Sequence, residues 1–266
     1  MNKIQVKLMV AENPYTITQL ACSMTRGANR FDSVDAIINE LNEKPWSVEK
    51  VLQNLSLPHS KLSRFIDVFF LITGTSRRFL AQLTTHHIGI SIISGSLQYS
   101  DHSKHHLEDM FTVPYSILNN TEACEKFKSN CAKDMRDYNK ISKEFGNDCA
   151  GYKAPEALRN VLLVKVNLEE LRFMCNQRLC ARNTDETSYV IGLMAEAVVA
   201  EFGFPDKWFM PSCVNGGCKE GKYNCGNKFG LTPATTIAQY LDARFPLLRS
   251  KNEGESSRER DKETTS

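Results

Sequence analysis

The feature that most constrains this chain is the irregular order in which its hydrophobic period changes. Residues 4–8 alternate as a strand does, and helix-like spacing follows over 16–24, from about Ser33 to Leu41, and over 46–55. A β-rich run at 66–73 then ends at Gly74, and Ser76 stands where an N-cap would open a helix over 77–87. Residues 88–100 mix isoleucine with glycine and serine and read as strand and loop. A polar helix is expected over 121–145, a helix containing Arg159 after Pro155, and another over 167–182. A further helix carries Val190, Met194, Ala197 and Val198 and ends near Gly203, and a short one covers 234–243. No βαβ regularity and no internal repeat organises these elements, so the expected class is α+β, with mixed helices and a small, largely antiparallel sheet. The chain lacks a glycine-rich phosphate loop, GxGxxG and GxSxG.

At 266 residues the chain is long enough for one sizeable core. One domain over 1–249 is expected, followed by a charged tail at 250–266 without aliphatic or aromatic residues, which reads as disordered. Thirty-three basic against 31 acidic residues leave a net charge of +2, which gives no field suited to nucleic acid or an anionic membrane. No apolar run approaches the roughly 18 residues of a membrane span. The first residues lack the pattern of a secretory signal, and nine cysteines, an odd number, fit a reducing compartment; a cytoplasmic protein is the expectation.

Four groups could carry chemistry. Asn167 and Arg178 are eleven residues apart, so on one helix they would point the same way about 16 Å apart. Such a pair could touch two ends of a large ligand; a helix cap and a solvated charge satisfy the same spacing. Gln82 and His86 would share one helix face, and Phe79, Leu83 and His87 another. His86 and His87 are adjacent, so they diverge by about 100° on a helix and do not suit one metal ion. Cys213-x4-Cys218-x6-Cys225 offers three thiols, to which a fourth ligand from elsewhere could add a zinc site. Without a CxxC pair the cluster equally fits a turn-rich loop of reduced thiols, and no metal ligand is assigned. No serine, histidine and acid combination suggests a protein nucleophile.

Three stretches carry a resemblance. SRRFLAQLTTHH at 76–87 followed by SLQYS at 96–100 is similar to the signature of the flavin-dependent thymidylate synthases, with its SR…QL lead-in, Arg-His-Arg, serine and Arg-Tyr pair. ALRNVL at 157–162, NLEEL at 167–171 and RLC at 178–180 resemble that family's AR-x-VLP, N-x-R-x-L and R-x-C-x-x-AQ-x-E elements, with Glu186 as the last acid. PSCVNGGCKEGKYNCG at 211–226 resembles a cysteine-bearing tail seen in some members.

The resemblance implies an α+β homotetramer in which FAD and dUMP stack in sites shared between subunits. Methylenetetrahydrofolate would give the one-carbon unit and NADPH would reduce the flavin, converting dUMP to dTMP. It places Arg178 at the uracil ring as the catalytic residue, with Gln82, Ser96, Gln98 and Arg159 also at the dUMP site. Thr85, His86, His87 and Asn167 fall at flavin-site positions.

The sequence also departs from the pattern. Arg-His-Arg becomes Thr85-His86-His87 when aligned from the lead-in, or His86-His87-Ile88 from Tyr99, and both arginines are absent. Two lost charge-assisted donors would cost several kcal/mol of ligand binding. The arginine before Tyr99 is Gln98. The arginine of N-x-R is Glu169, and the upstream Glu-His is Arg64-Phe65. Arg64, Arg77 and Arg78 are the candidates to compensate. The alternative expectation is a degenerate paralogue that binds nucleotide or completes a mixed tetramer with an intact synthase.

Overall fold

The computed structural model describes residues 4–11, 13–27, 33–57, 61–97, 110–214, 217–218, 220–226 and 234–249. Strand β1 (Gln5–Ala11) leads into α1 (Pro14–Gly27), α2 (Val34–Glu43) and α3 (Val48–Leu55). Ser33 and Ser47 cap the last two, each accepting from the backbone N–H three residues on. Then come β2 (Asp67–Ser76), α4 (Arg77–Leu83), β3 (Ile90–Ser94), α5 (Thr121–Phe145), α6 (Asn147–Gly151) and β4 (Arg159–Asn167). The chain finishes with α7 (Leu168–Arg178), α8 (Asp185–Phe202) and α9 (Ile237–Arg244). The four strands form one antiparallel sheet in the order β1-β2-β4-β3, so the class is α+β as expected.

Three expectations are corrected. Arg159 opens strand β4, not a helix. From Asn160 to Val166 alternate side chains turn inward, and the β-branched valines suit a pleated surface. The outward positions Val161 and Leu163 are apolar too, which hides the alternation in the sequence. The strand over 66–73 does not stop at Gly74. That residue, at φ 76°, takes up a register shift between Thr73 and Thr75, and pairing resumes through Ser76↔Arg159.

The third correction is that α4 ends at Leu83, short of His87. The hydroxyls of Thr84 and Thr85 donate to the carbonyls of Ala81 and Gln82 at 3.0 and 2.7 Å, which closes the last turn and releases the chain. His86 and His87 therefore leave the helix, and the helical faces expected for them, shared with Gln82 and with Phe79 and Leu83, do not form.

The inner sheet face presents Val68, Phe70, Ile72, Leu162, Val164 and Val166, all fully buried. Leu171, Met174 and Cys175 of α7 and Val190, Ile191, Met194 and Val198 of α8 complete this core. A second cluster joins α5 and α6 to Phe111 and Leu158. The outer face is different. Leu71, Leu163 and Ile93 lie in one row across β2, β4 and β3, and are 37, 41 and 68% exposed. Among the described residues no helix is long and apolar enough to cross a membrane.

Candidate functional site

The site is organised by the way α7 starts and stops. Asn167, the last residue of β4, is the N-cap: its Oδ1 accepts from the Glu170 N–H at 2.9 Å. Its own N–H donates to the Gly89 carbonyl at 2.8 Å. That approach requires glycine: Gly89 has φ +74°, and a Cβ there would lie 2.3 Å from Asn167 Nδ2.

Glu170 occupies the third helical position, where a capping-box acid would reach back to the cap N–H. Gly89 already accepts that N–H, so the Glu170 carboxylate turns to His86, with Oε1 2.8 Å from Nδ1. Both side chains are almost wholly buried.

Arg178, the last residue of α7, closes the group. Its Nε donates to His86 Nε2 at 2.9 Å and its Nη2 to Thr85 Oγ1 at 2.6 Å. Burial first, then the charges of Arg178 and His87, hold the His86 imidazole down at about 4. The ring is therefore neutral at neutral pH. With Nε2 accepting from Arg178, its proton sits on Nδ1 and is donated to Glu170. Burial pushes the Glu170 carboxyl up and the Arg178 guanidinium down. The result is a relay, Glu170–His86–Arg178, that fixes the plane and direction of one guanidinium fork.

The end of α7 is also held from behind. Ser188 donates to the Arg178 carbonyl at 2.6 Å, and Tyr240 to that of Leu179 at 2.6 Å. Arg244 donates to the Cys180 and Asn183 carbonyls at 3.1 and 3.2 Å. These bonds satisfy carbonyls that a helix terminus leaves open.

A second group forms at the opposite end of the β2–β4 pair. Glu186 accepts from the Ser76 N–H at 2.7 Å and from its hydroxyl at 2.5 Å, while Ser76 Oγ accepts from Phe79 N–H at 3.0 Å and caps α4. Burial pushes the Glu186 carboxyl up. Arg159 pairs with Ser76 across the strands, and its N–H donates to the Met110 carbonyl at 2.8 Å. A cleft of about 420 Å³ beside this group is lined by Ser76, Arg78, Thr112, Tyr115 and Glu186. Eight residue steps along the strand separate Arg159 from Asn167, about 27 Å of extended chain.

The residues singled out from the sequence thus divide. Thr85, His86, Asn167 and Arg178 come together, joined by Glu170. Asn167 is a cap and not a helical partner of Arg178, and the helix expected to reach 182 stops at Arg178. Arg159 belongs to the other group. Gln82 is half-buried on α4, where its carbonyl accepts from Thr85. Ser96 follows β3, next to Gly95, whose N–H donates to Asn160 Oδ1 at 3.1 Å. His87 is exposed, with Nδ1 3.0 Å from the Thr85 carbonyl. Gln98 and the 250–266 tail lie outside the described residues. Sequence reasoning missed Glu170, Ser188, Tyr240 and Arg244; for Glu170 the N-x-x-E spacing from Asn167 was an available signal.

Arg64 also finds a role, in an ion pair between its Nε and Glu169 Oε2. The two charge reversals noted in the sequence therefore meet each other.

A model of the family described as thymidylate synthase complementing protein, Thy1, matches residues 9–203. The flavin-dependent thymidylate synthase of Pyrococcus abyssi is 29% identical over 145 residues, 54% of this chain and 59% of that protein. The flavin-dependent thymidylate synthase of Pyrococcus furiosus is 30% identical over 151 residues, 56% of this chain and 62% of that protein. The match thus spans less than two thirds of the length of either relative. Thymidylate synthase X from Helicobacter pylori, solved with FAD and dUMP, is similar at a TM-score of 0.54 and 17% identity, covering 75% of this chain and 95% of that one. The UMP/dUMP methylase PolB from Streptomyces cacaoi, bound with 5-Br dUMP, is similar at a TM-score of 0.53 and 12% identity, covering 75% of this chain and 91% of that one. Those two likenesses carry the fold.

Proposed function

Since the chain belongs to the thymidylate synthase complementing protein family, we propose that it is a flavin-dependent enzyme that methylates a pyrimidine nucleotide. The reaction we assign is dUMP to dTMP, with methylenetetrahydrofolate as one-carbon donor and NADPH as reductant. The observation that carries this reading is the Glu170–His86–Arg178 relay, at the arginine that matches the uracil-contacting position of the family.

Bound flavin would supply the redox chemistry. The protein's own part is to bind, orient and polarise. A guanidinium fixed through Nε and Nη2 is aimed before the substrate arrives, so it can meet negative charge developing on a pyrimidine carbonyl without reorganising. His86 fits this task because it is neutral: a protonated ring would repel Arg178 and have no acceptor for it. The residues around Arg178 suit an electron-rich ring better than a phosphate, because Thr85 and His86 bring no positive charge.

Phosphate contacts then fall to the other group, which holds Arg159 and, on the 420 Å³ cleft, Arg78. About 27 Å of strand separates Arg159, at a dUMP-site position, from Asn167, which falls at a flavin-site position and caps the helix that ends in Arg178. This supports a site completed by a second copy, as does the exposed apolar row Leu71, Leu163 and Ile93, which an assembly would cover. A homotetramer is our reading.

The test is a visible-spectrum titration of the purified chain with FAD, with and without dUMP, followed by tritium release from the pyrimidine C5. A saturable shift of the flavin bands that dUMP modifies, with tritium release, is expected. No shift at high FAD would overturn the homomeric enzyme and direct attention to a mixed assembly.

A further inference from the structure

His86 and Thr85 hold the tip of the Arg178 side chain. The backbone that carries it is held by α9, a helix that lies beyond the span over which the chain matches its family. We propose that Tyr240 and Arg244 of α9 are positioning residues for Arg178, an assignment that rests on reading Arg178 as the arginine that meets the pyrimidine. They fix the turn that leaves α7, and through it the direction of the guanidinium.

α9 is itself firmly seated. Ile237, Tyr240, Leu241 and Phe245 are buried. Leu241 packs so closely on α8 that a Cβ on Gly192 would stand 2.6 Å from its Cδ2, so this approach requires glycine. Phe245 makes T-shaped contacts with Tyr115 and Tyr189, with ring centroids 5.3 Å apart in each pair. Tyr240 and Arg244, four residues apart, share one face of this helix. Tyr240 Oη donates to the Leu179 carbonyl at 2.6 Å. Arg244 Nη1 donates to Tyr240 Oη at 2.5 Å and to the Cys180 carbonyl at 3.1 Å. Its Nη2 donates to the Asn183 carbonyl at 3.2 Å and pairs with Asp185 at 3.4 Å. Because the phenol oxygen accepts from Arg244, its own proton is committed to Leu179. Burial pushes the phenol up, so it keeps that proton at neutral pH.

The last carbonyls of a helix are often left to water, and helix ends fray. Here a tyrosine that is 2% exposed and an arginine side chain that is 10% exposed take the place of water at the turn after α7. The Ser188 hydroxyl takes the carbonyl of Arg178 itself. The root of the Arg178 side chain is thus fixed as firmly as its tip. A donor aimed at charge that develops during reaction contributes only while it stays aimed, and a displacement of about 1 Å is costly. Loosening the turn should therefore lower kcat more than it raises KM, because the interaction with Arg178 strengthens in the transition state.

The test uses the full chain with two mild substitutions. Tyr240→Phe removes one oxygen and keeps the ring; Arg244→Lys keeps the charge and loses the fork. The first readout needs neither flavin nor substrate: nitrogen-15 resonances of the His86 ring, whose Nε2 accepts from Arg178. The Nε2 signal should shift in both variants as its donor is displaced. The second is tritium release with FAD and dUMP, where kcat should fall by about 10- to 100-fold while KM for dUMP changes by less than about threefold. Ser47→Ala, which removes the cap of α3 and so lowers stability alone, should change neither. An unmoved Nε2 signal with unaltered kcat in the folded variants would overturn the positioning role and leave the enzyme reading intact. Changes of the same size in Ser47→Ala would overturn it too, because they would report stability only. A shifted Nε2 signal in a protein that releases no tritium in any form would support the hold on Arg178 and remove the enzyme reading instead.

Discussion

The two ends of the β2–β4 strand pair solve the same problem with different chemistry. At the Ser76 end, the acid that matches the family's pattern, Glu186, accepts two hydrogen bonds from the residue that caps α4. At the Asn167 end, the residues of the Arg-His-Arg position have changed, yet the group is as fully bonded. Thr85 and His86 are neutral and receive Arg178 as acceptors. Arg64 and Glu169, each reversed in charge relative to the family pattern, pair with each other. At the first end a buried carboxyl and a helix cap depend on one another. At the second, one guanidinium is held by two neutral acceptors, and the buried acid Glu170 reaches it only through His86.

The largest effect is expected at that guanidinium. Arg178→Ala should lower pyrimidine-modifying turnover by about 10²-fold or more, the scale of one lost charge-stabilising donor. Tritium release at unchanged rate would remove Arg178 from the chemistry. At the other end, Glu186→Ala should cost about 2–3 kcal/mol of stability, because it strands the Ser76 N–H and hydroxyl. Urea denaturation reads this directly, and a loss within error would mean that water replaces the carboxylate at no cost.

The relay itself is probed by pH. His86 has an ordinary value of 6.5 and is held at about 4 in the fold, so as pH falls the unfolded chain takes the proton first. The stability present above pH 6.5 is then lost progressively toward pH 4. Glu170, pushed up by burial, acts in the opposite sense in both proteins of the comparison. His86→Gln should therefore show a shallower loss of stability on acidification than the unsubstituted chain. Parallel curves would mean that His86 is not held neutral. The smallest effect belongs to the swapped pair, whose side chains are 57 and 43% exposed. Arg64→Ala or Glu169→Ala should each cost under about 1 kcal/mol, and Arg64→Glu with Glu169→Arg should be near neutral.

Much of this was legible before folding was considered. The polar helix over 121–145 matches α5 end to end, and Ser33, Ser76 and Gly203 punctuate helices where the sequence places them. β4 was not legible. Pro155 reads as a helix opener, and Val161 and Leu163 are apolar on the face away from the monomer core, so the run 161–164 shows no alternation. His86 was mislaid for a local reason: the helix period continues through it, but two threonine hydroxyls end the helix first. Glu170 was hidden by context. Its spacing from Asn167 suggests a capping box, and only the Gly89 carbonyl, 78 residues earlier in the chain, diverts it to His86. Arg178 and Arg159 were each visible as candidates, whereas the placing of Arg159 at the Ser76 end of the strand pair, and of the His86–Arg178 group at the Asn167 end, belongs to the tertiary fold alone.

That separation yields the most direct test of the central claim, that the site is built from the two groups of different copies. Arg159→Ala and Arg178→Ala proteins should each lose the dUMP-dependent shift of the flavin spectrum. Unfolded together and refolded as a mixture, they should recover part of it, because some mixed sites then hold both arginines. A mixture as silent as its two components, with both variants folded and assembled, would place the whole site within one chain and contradict the account.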